Sequence, residues 1–137
     1  MKLSVKSDYA ARAVLGLARA FPRGGPVRIE ALATEHGIPP NYLVQILIEL
    51  KGQRIVKSVR GKDGGYLLAR PPGEITLGDV VRCVHGGVFD SPALTDPRCA
   101  PELREAWRRV QSGVAAALDG DAFQQLAENG AAASYLF

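Results

Sequence analysis

The chain has 137 residues, 47 % of them apolar and 23 % charged, enough for one compact domain, or one domain with an appended arm, around a real core. No apolar run approaches the roughly 18 residues of a membrane span, and the N-terminal MKLSVKSDYAARA lacks the apolar block and cleavage site of a signal peptide. The net charge of +3 is unevenly spread: residues 1–70 carry 12 lysines and arginines against 5 acids, and residues 71–137 carry 5 arginines against 9 acids, so a front half suited to a polyanion is joined to an acidic back half.

Ser7 or Asp8 is expected to cap a first helix running to about Phe21. Its apolar stripe is Tyr9, Ala10, Ala13, Val14, Leu17, Ala18 and Phe21, and the alanines allow close helix approach. Pro22-Arg23-Gly24-Gly25-Pro26 is a loop. A short second helix follows from about Ile29 to His36, burying Ile29, Leu32 and Ala33. Gly37-Ile38 turns the chain into a third helix, opened by Pro39 and Pro40, whose missing N–H groups the first turn does not need. Leu43, Ile46, Leu47 and Leu50 recur at the spacing of one buried face. Asn41, Tyr42, Val44 and Gln45 cluster at the leading end of the other face, and Gly52 is expected to end the helix. Short helix, tight turn and second helix make the helix-turn-helix plan.

Ile55 to Val59, with Lys57 and Ser58 inside it, and Tyr66 to Ala69 read as two strands joined by the turn Arg60-Gly61-Lys62-Asp63-Gly64-Gly65. Pro71-Pro72 stops the second strand. A helix with polar residues at its leading end, followed by a basic, glycine-rich hairpin tip, is a DNA-reading arrangement: the helix for the major groove, the tip for a neighbouring minor groove. Asn41, Tyr42 and Gln45 are the candidates for sequence choice. Lys57, Arg60, Lys62, Lys2 and Lys6 are the candidates for phosphate contact.

Ile75 to Val84 reads as a helix capped by Thr76, with Leu77, Val80, Val81 and Val84 inward and Gly86-Gly87 at its end. Val88 to Pro101 reads as a loop of a length that is uncommon inside a domain unless it is functional or mobile. Pro101 then starts a strong helix reaching Leu118. Leu103, Trp107, Val110, Val114 and Ala117 alternate spacings of four and three, a seam for pairing with another helix, with packing onto its own domain as the alternative. The tail holds Phe123, Leu126 and a last short helix; residues 131–137 carry no signal. The expected fold is mainly α with a small β-hairpin wing: a winged helix-turn-helix over 1–72, a connecting helix and effector-type loop over 73–100, and a dimerisation helix with its tail over 101–137.

The Gly61 to Gly65 turn lacks the spacing of a phosphate-binding loop and lies between strands rather than before a helix. No Ser–His–acid or paired-carboxylate set stands out, so catalysis is not expected. Two cysteines without framework spacing point to a reducing compartment, hence the cytoplasm. Cys83, among valines, reads as a buried structural thiol, and Cys83-Val84-His85 is a weak metal pair. Cys99 lies beside Arg98 and before a helix N-terminus, both favouring thiolate. It is therefore a candidate redox residue, with an incidental loop cysteine as the alternative.

SDYAARAVLGLA, IEALATEHGIPPNYLVQIL and above all KSVRGKDGGYLLARPPGEITLGDVV resemble the Rrf2 family of bacterial winged helix-turn-helix regulators, which includes repressors sensing iron–sulfur clusters, nitric oxide and cysteine supply. The resemblance implies a DNA-binding homodimer paired through its long C-terminal helix, here Leu103, Trp107, Val110 and Val114. It also implies a reading site of Asn41, Tyr42 and Gln45, with Lys57, Ser58, Arg60, Gly61, Lys62, Gly64, Gly65 and Tyr66 in the wing. Where relatives often carry Glu before the reading Gln, this chain has Val44, which offers only apolar contact, for example to a thymine methyl.

Cluster-binding relatives hold three loop cysteines and a fourth ligand. Here the loop holds Cys99 alone, and Glu102 and Arg104 stand near where a histidine would. With about four ligands needed per cluster, no iron–sulfur or other metal cofactor is expected. The signal is left between a redox change at Cys99, a small ligand near the 88–101 loop, an effector protein and no signal at all. A winged module that binds protein and not DNA is the alternative function.

Overall fold

The computed structural model describes residues 2–136, with side chains as far as Asn129; Met1 and Phe137, the outer ends of the expected first and last segments, lie outside the described residues. In chain order come α1 (Val5–Ala20), α2 (Ile29–His36), α3 (Pro40–Gly52), β1 (Val56–Val59), β2 (Gly65–Leu68), α4 (Leu77–Val84), α5 (Pro101–Asp119) and α6 (Phe123–Leu136). The expected architecture, mainly helical with one antiparallel hairpin, is the one observed.

α1 is the hub. It packs against α2, α3, α4 and α6 as well as β2, through the fully buried Ala10, Ala13, Val14 and Leu17. Alanine at two of these four positions lets neighbours approach closely. α3 contributes Leu43, Ile46, Leu47 and Leu50, all buried, at the spacing read from the sequence. α1 begins one turn earlier than expected. Ser4, not Ser7 or Asp8, is the cap, its Oγ accepting the Ser7 N–H at 3.2 Å. Ser7 is buried in the first turn, where its own hydroxyl pairs with Ser4 Oγ at 2.9 Å. At the other capped helix the expectation holds: Thr76 Oγ1 accepts from Asp79 N and Asp79 Oδ2 accepts from Thr76 N, a reciprocal capping box for α4.

α3 ends at Gly52 as expected, but not on a left-handed glycine. Gly52 is still helical, and the left-handed residue is Arg54, at φ 61°. The Ile55 N–H bonds back to the Leu50 carbonyl at 3.0 Å, and both side chains are buried. This is a Schellman reversal with its apolar contact. Burial of Ile55 dictates where the chain must turn, and that overrides the glycine preference. The strands are one residue displaced from expectation, β1 starting at Val56 and β2 at Gly65, with register Val56 to Leu68 through Val59 to Gly65.

The tail is more than a short helix. α6 has 14 residues, and Phe123 at its start is 1 % exposed in the same core cluster as α1 and α3. Backbone bonds from Leu77 N to Asp121 O and from Phe123 N to Ile75 O, both 2.9 Å, pin the α5–α6 junction to the start of α4. Replacing a fully buried Phe removes its transfer energy and leaves a cavity. Phe123→Ala is therefore expected to cost about 3–5 kcal/mol in urea unfolding, against less than about 0.5 kcal/mol for the exposed Gln125→Ala.

Candidate nucleic-acid interface

The polar end of α3 is presented to solvent. Asn41, Tyr42, Val44 and Gln45 are all exposed, and Asn41, Tyr42 and Gln45 line one shallow cleft with Lys6. Tyr42 is held from behind: its ring meets Tyr9 edge-on, centroids 5.5 Å apart, while the Arg12 guanidinium lies 5.6 Å from the Tyr9 centroid. Arg12 is itself fixed by Asp8 at 2.8 Å and by the His36 carbonyl at 3.3 Å. A chain of contacts thus runs from the end of α2 through α1 to the ring that heads α3. Lys6 lines this cleft, but its ammonium lies 2.5 Å from Glu49 Oε2, so part of its charge is already answered.

The wing divides into a presented tip and a root that holds it. Lys57, Ser58, Arg60, Gly61 and Lys62 are exposed; Gly64 is buried, and Gly65 and Tyr66 are half-buried. Gly65, at φ +151°, lies against the segment before α2: a Cβ there would collide with the Val27 carbonyl oxygen. At Gly64 a Cβ would collide with the Val59 carbonyl oxygen. Tyr66 exchanges backbone bonds with Val27, N–H to O at 2.8 Å and O from N–H at 2.7 Å, so the hairpin gains a third, one-residue rung. Glycine here is a matter of close backbone approach.

Two cations missed in the sequence reading belong to this region. Arg28, beside the Val27 rung, donates through Nη2 to the Lys62 carbonyl at the tip. Lys51, on the last turn of α3, donates to Ser58 Oγ at 2.8 Å. Each ties the helix-turn-helix to the wing. The signal for them was weak: a lysine in a helix's last turn usually serves the helix dipole, and a lone arginine just before a helix belongs to no pattern.

The 88–101 segment is ordered by one side chain. Arg104 Nε donates to Ala93 O at 3.2 Å, and Nη2 donates to Asp96 O at 2.6 Å and to Cys99 O at 3.1 Å, gathering the loop around a 3₁₀ turn at Pro92–Leu94. Arg98, expected to favour the Cys99 thiolate, turns instead to Asp96, its backbone N–H at 2.9 Å and Nε at 3.3 Å from Oδ1. These bonds hold the Asp96 carboxyl below the usual carboxylate range. The Cys99 thiol is half-buried and donates to Ala100 O at 3.5 Å. Cys83 is half-buried rather than buried, and its thiol donates to Glu49 O at 3.4 Å. Burial, followed by the Glu49 charge, pushes its pKa up. His85 turns away from Cys83 to Ser4 Oγ, 3.2 Å from Nδ1, so the Cys83–His85 pair is not assembled.

α5 stands with its apolar seam outward. Leu103, Trp107 and Val110 are exposed by 50, 36 and 43 %, Val114 is half-buried, and no residue of the helix is buried. Its end is anchored: Arg82 Nη2 and Nη1 lie 2.7 and 3.3 Å from the two Asp119 carboxylate oxygens, and Thr76 Oγ1 donates to Asp119 at 3.0 Å.

A family model named Rrf2 and described as iron-dependent transcriptional regulators matches residues 3–129. A Mycobacterium tuberculosis protein bearing the name of an HTH-type transcriptional regulator is 40 % identical over 127 residues, 87 % of this chain and 76 % of that one. The HTH-type transcriptional regulator CymR of Bacillus subtilis is 32 % identical, covering 100 % of this chain and 99 % of its own. Its solved structure, described as that of the global cysteine regulator, superposes with a TM-score of 0.84 over 94 % of this chain and 98 % of its own. IscR of T. potens superposes at 0.79, with 30 % identity, over 95 and 88 % of the two chains.

The iron in the family description can be tested against the donors present. Among the described residues no group of three or more His, Cys, Asp or Glu side chains is placed to hold a metal. The loop around Cys99 is built on a guanidinium, which repels a cation.

Gly65→Ala is expected to cost about 1–3 kcal/mol and to part the wing from Val27. The check is hydrogen exchange, in which the Val27 and Tyr66 amides lose protection while α1 and α3 amides keep it.

Proposed function

The chain belongs to the Rrf2 family of DNA-binding transcriptional regulators, and from that premise we propose that it is a dimeric repressor reading duplex DNA with the leading end of α3 and the tip of the wing. The family is one of regulators and not of enzymes. The observation that carries the site assignment is the pairing of two exposed features on one braced frame. Asn41, Tyr42 and Gln45 are offered by α3, and Arg60, Gly61 and Lys62 by a wing whose root is locked to Val27. Side-chain amides at Asn41 and Gln45 suit base edges in the major groove, and Arg60 suits a minor groove. Ser58 and Lys57 lie further down β1, Ser58 already engaged by Lys51, so they rank as phosphate contacts. Gly64, Gly65 and Tyr66 act by shaping the tip.

Dimerisation is supported by the exposed part of the α5 seam. A 19-residue helix is about 28 Å long, and the surface that Leu103, Trp107 and Val110 still expose, with Trp107 resting on Phe89, forfeits part of a burial worth about 1.5–3 kcal/mol per large side chain. A twofold pair of such chains calls for a pseudo-palindromic site with half-sites about 34 Å apart, and a dimer seated there blocks access to that duplex. The donor chemistry favours a regulator that works without iron.

The test is a fluorescence titration of a labelled operator at physiological salt. Arg60→Ala is expected to lose about 1–3 kcal/mol of specific binding, and wild-type affinity should fall steeply with salt and be unmoved by an iron chelator. Salt-independent binding, or none, would favour the protein-interaction alternative. Trp107→Glu is expected to turn the dimer into a monomer in sedimentation velocity and to uncouple the two half-sites. A monomeric wild type would remove the seam's assigned role.

A further inference from the structure

Between the end of α1 and the wing lies a cavity of about 260 Å³. Leu17 and Phe21 come to it from the α1 end, Val27 from the segment before α2, and Leu67 from β2. Lys57 and Arg70 line the same space, and no acidic residue does. The hairpin register is what brings Lys57 there: it pairs with Leu67, and directly opposed residues of an antiparallel ladder share a face.

Arg70 is half-buried, and its Nε is buried with no hydrogen-bond partner among the described residues. That Nε is closed to the cavity as well as to water, so a carboxylate there would meet the Nη1 and Nη2 end of the guanidinium, which takes a carboxylate through two N–H bonds. On its other side Arg70 borders a cleft containing Asp79. That carboxylate is already taken, Oδ2 by the Thr76 N–H at 3.0 Å and Oδ1 by Arg82 at 3.2 Å.

We propose that this cavity binds a small apolar carboxylate, an aromatic or branched-chain acid, with its carboxylate between Arg70 and Lys57 and its body on Leu17, Phe21, Val27 and Leu67. The volume lies just below the usual range for ligand pockets, about 300–1,000 Å³, which suits a single ring or short chain and not a nucleotide. A neutral ligand leaves the two cations of the lining without an anion; a hydrophilic anion gains nothing from the floor. A bound acid joins α1 to the root of the wing and places negative charge beside Lys57, so it weakens duplex binding. This last step rests on the DNA-reading function proposed above; the binding step does not.

Benzoate is the probe, titrated at constant ionic strength into the full chain, with the Arg70 Nε–H and the leucine methyls followed by NMR. Saturable shifts at Leu17, Leu67 and Arg70 are expected, at least about tenfold weaker with benzyl alcohol or acetate. They should be lost in Arg70→Met, weakened in Lys57→Gln and kept in Arg60→Ala. Benzoate should also lower duplex affinity severalfold in wild type and not in Arg70→Met. Absence of saturable shifts, or shifts that survive in both Arg70→Met and Lys57→Gln, overturns the site. Saturable shifts with unchanged duplex affinity overturn its effector role. A protein that binds no duplex even without benzoate faults the DNA reading and leaves the site standing.

Discussion

The reversal between Leu50 and Ile55 sets the relation between the reading helix and the wing. Both side chains are buried, the Ile55 N–H returns to the Leu50 carbonyl, and Arg54 takes the left-handed turn that joins them. With no slack between helix and strand, the hairpin leaves α3 in one direction only. Its far side is then caught by Val27, whose backbone exchanges two bonds with Tyr66. The proposed reading of two grooves at once needs this rigidity, because contacts set on loose elements lose their geometry before they lose their residues. Arg28 and Lys51 extend the same bracing to the tip and to β1.

Attachment of α5 follows a different logic. Packing does not bury it; an ionic and hydroxyl clamp at Asp119 fixes its end to α4. The Arg82 guanidinium, helped by Thr76, holds the Asp119 carboxyl below the usual range. A depressed carboxylate stabilises the fold above its unfolded pKa, and the contribution disappears as pH falls through the lowered folded value. The pair is exposed, so screening keeps it modest. The junction after α5 adds the firmer hold, with Phe123 in the core and backbone bonds to Ile75 and Leu77. The helix is thereby aimed, with Leu103, Trp107 and Val110 left exposed along one side, as the proposed pairing requires.

The loop ahead of α5 is gathered by one side chain. The family description speaks of iron, yet here a single arginine gathers three carbonyls of the loop. A guanidinium offering five donors can organise a turn as a metal does, but it answers carbonyl oxygens where a cluster needs thiolates. The two cysteines are drawn to separate backbone carbonyls, Cys83 to Glu49 and Cys99 to Ala100.

Local pattern alone determined the helix-turn-helix, the hairpin, the outward Asn41, Tyr42 and Gln45, the basic tip and the exposed seam of α5, because a period of three to four residues or a glycine-rich turn records which face is buried. Family membership was legible for the same reason: its longest matching stretch is the wing, where sequence and backbone shape are tightly coupled. Tertiary structure alone decided the rest. Ser4 as cap, Arg54 rather than Gly52 as the left-handed residue, Phe123 in the core, Arg28 on the wing and Arg70 beside an apolar cavity all depend on contacts between residues far apart in the chain or on which side chain the core claims. No periodicity encodes such contacts, since each is set by where two separately specified elements meet.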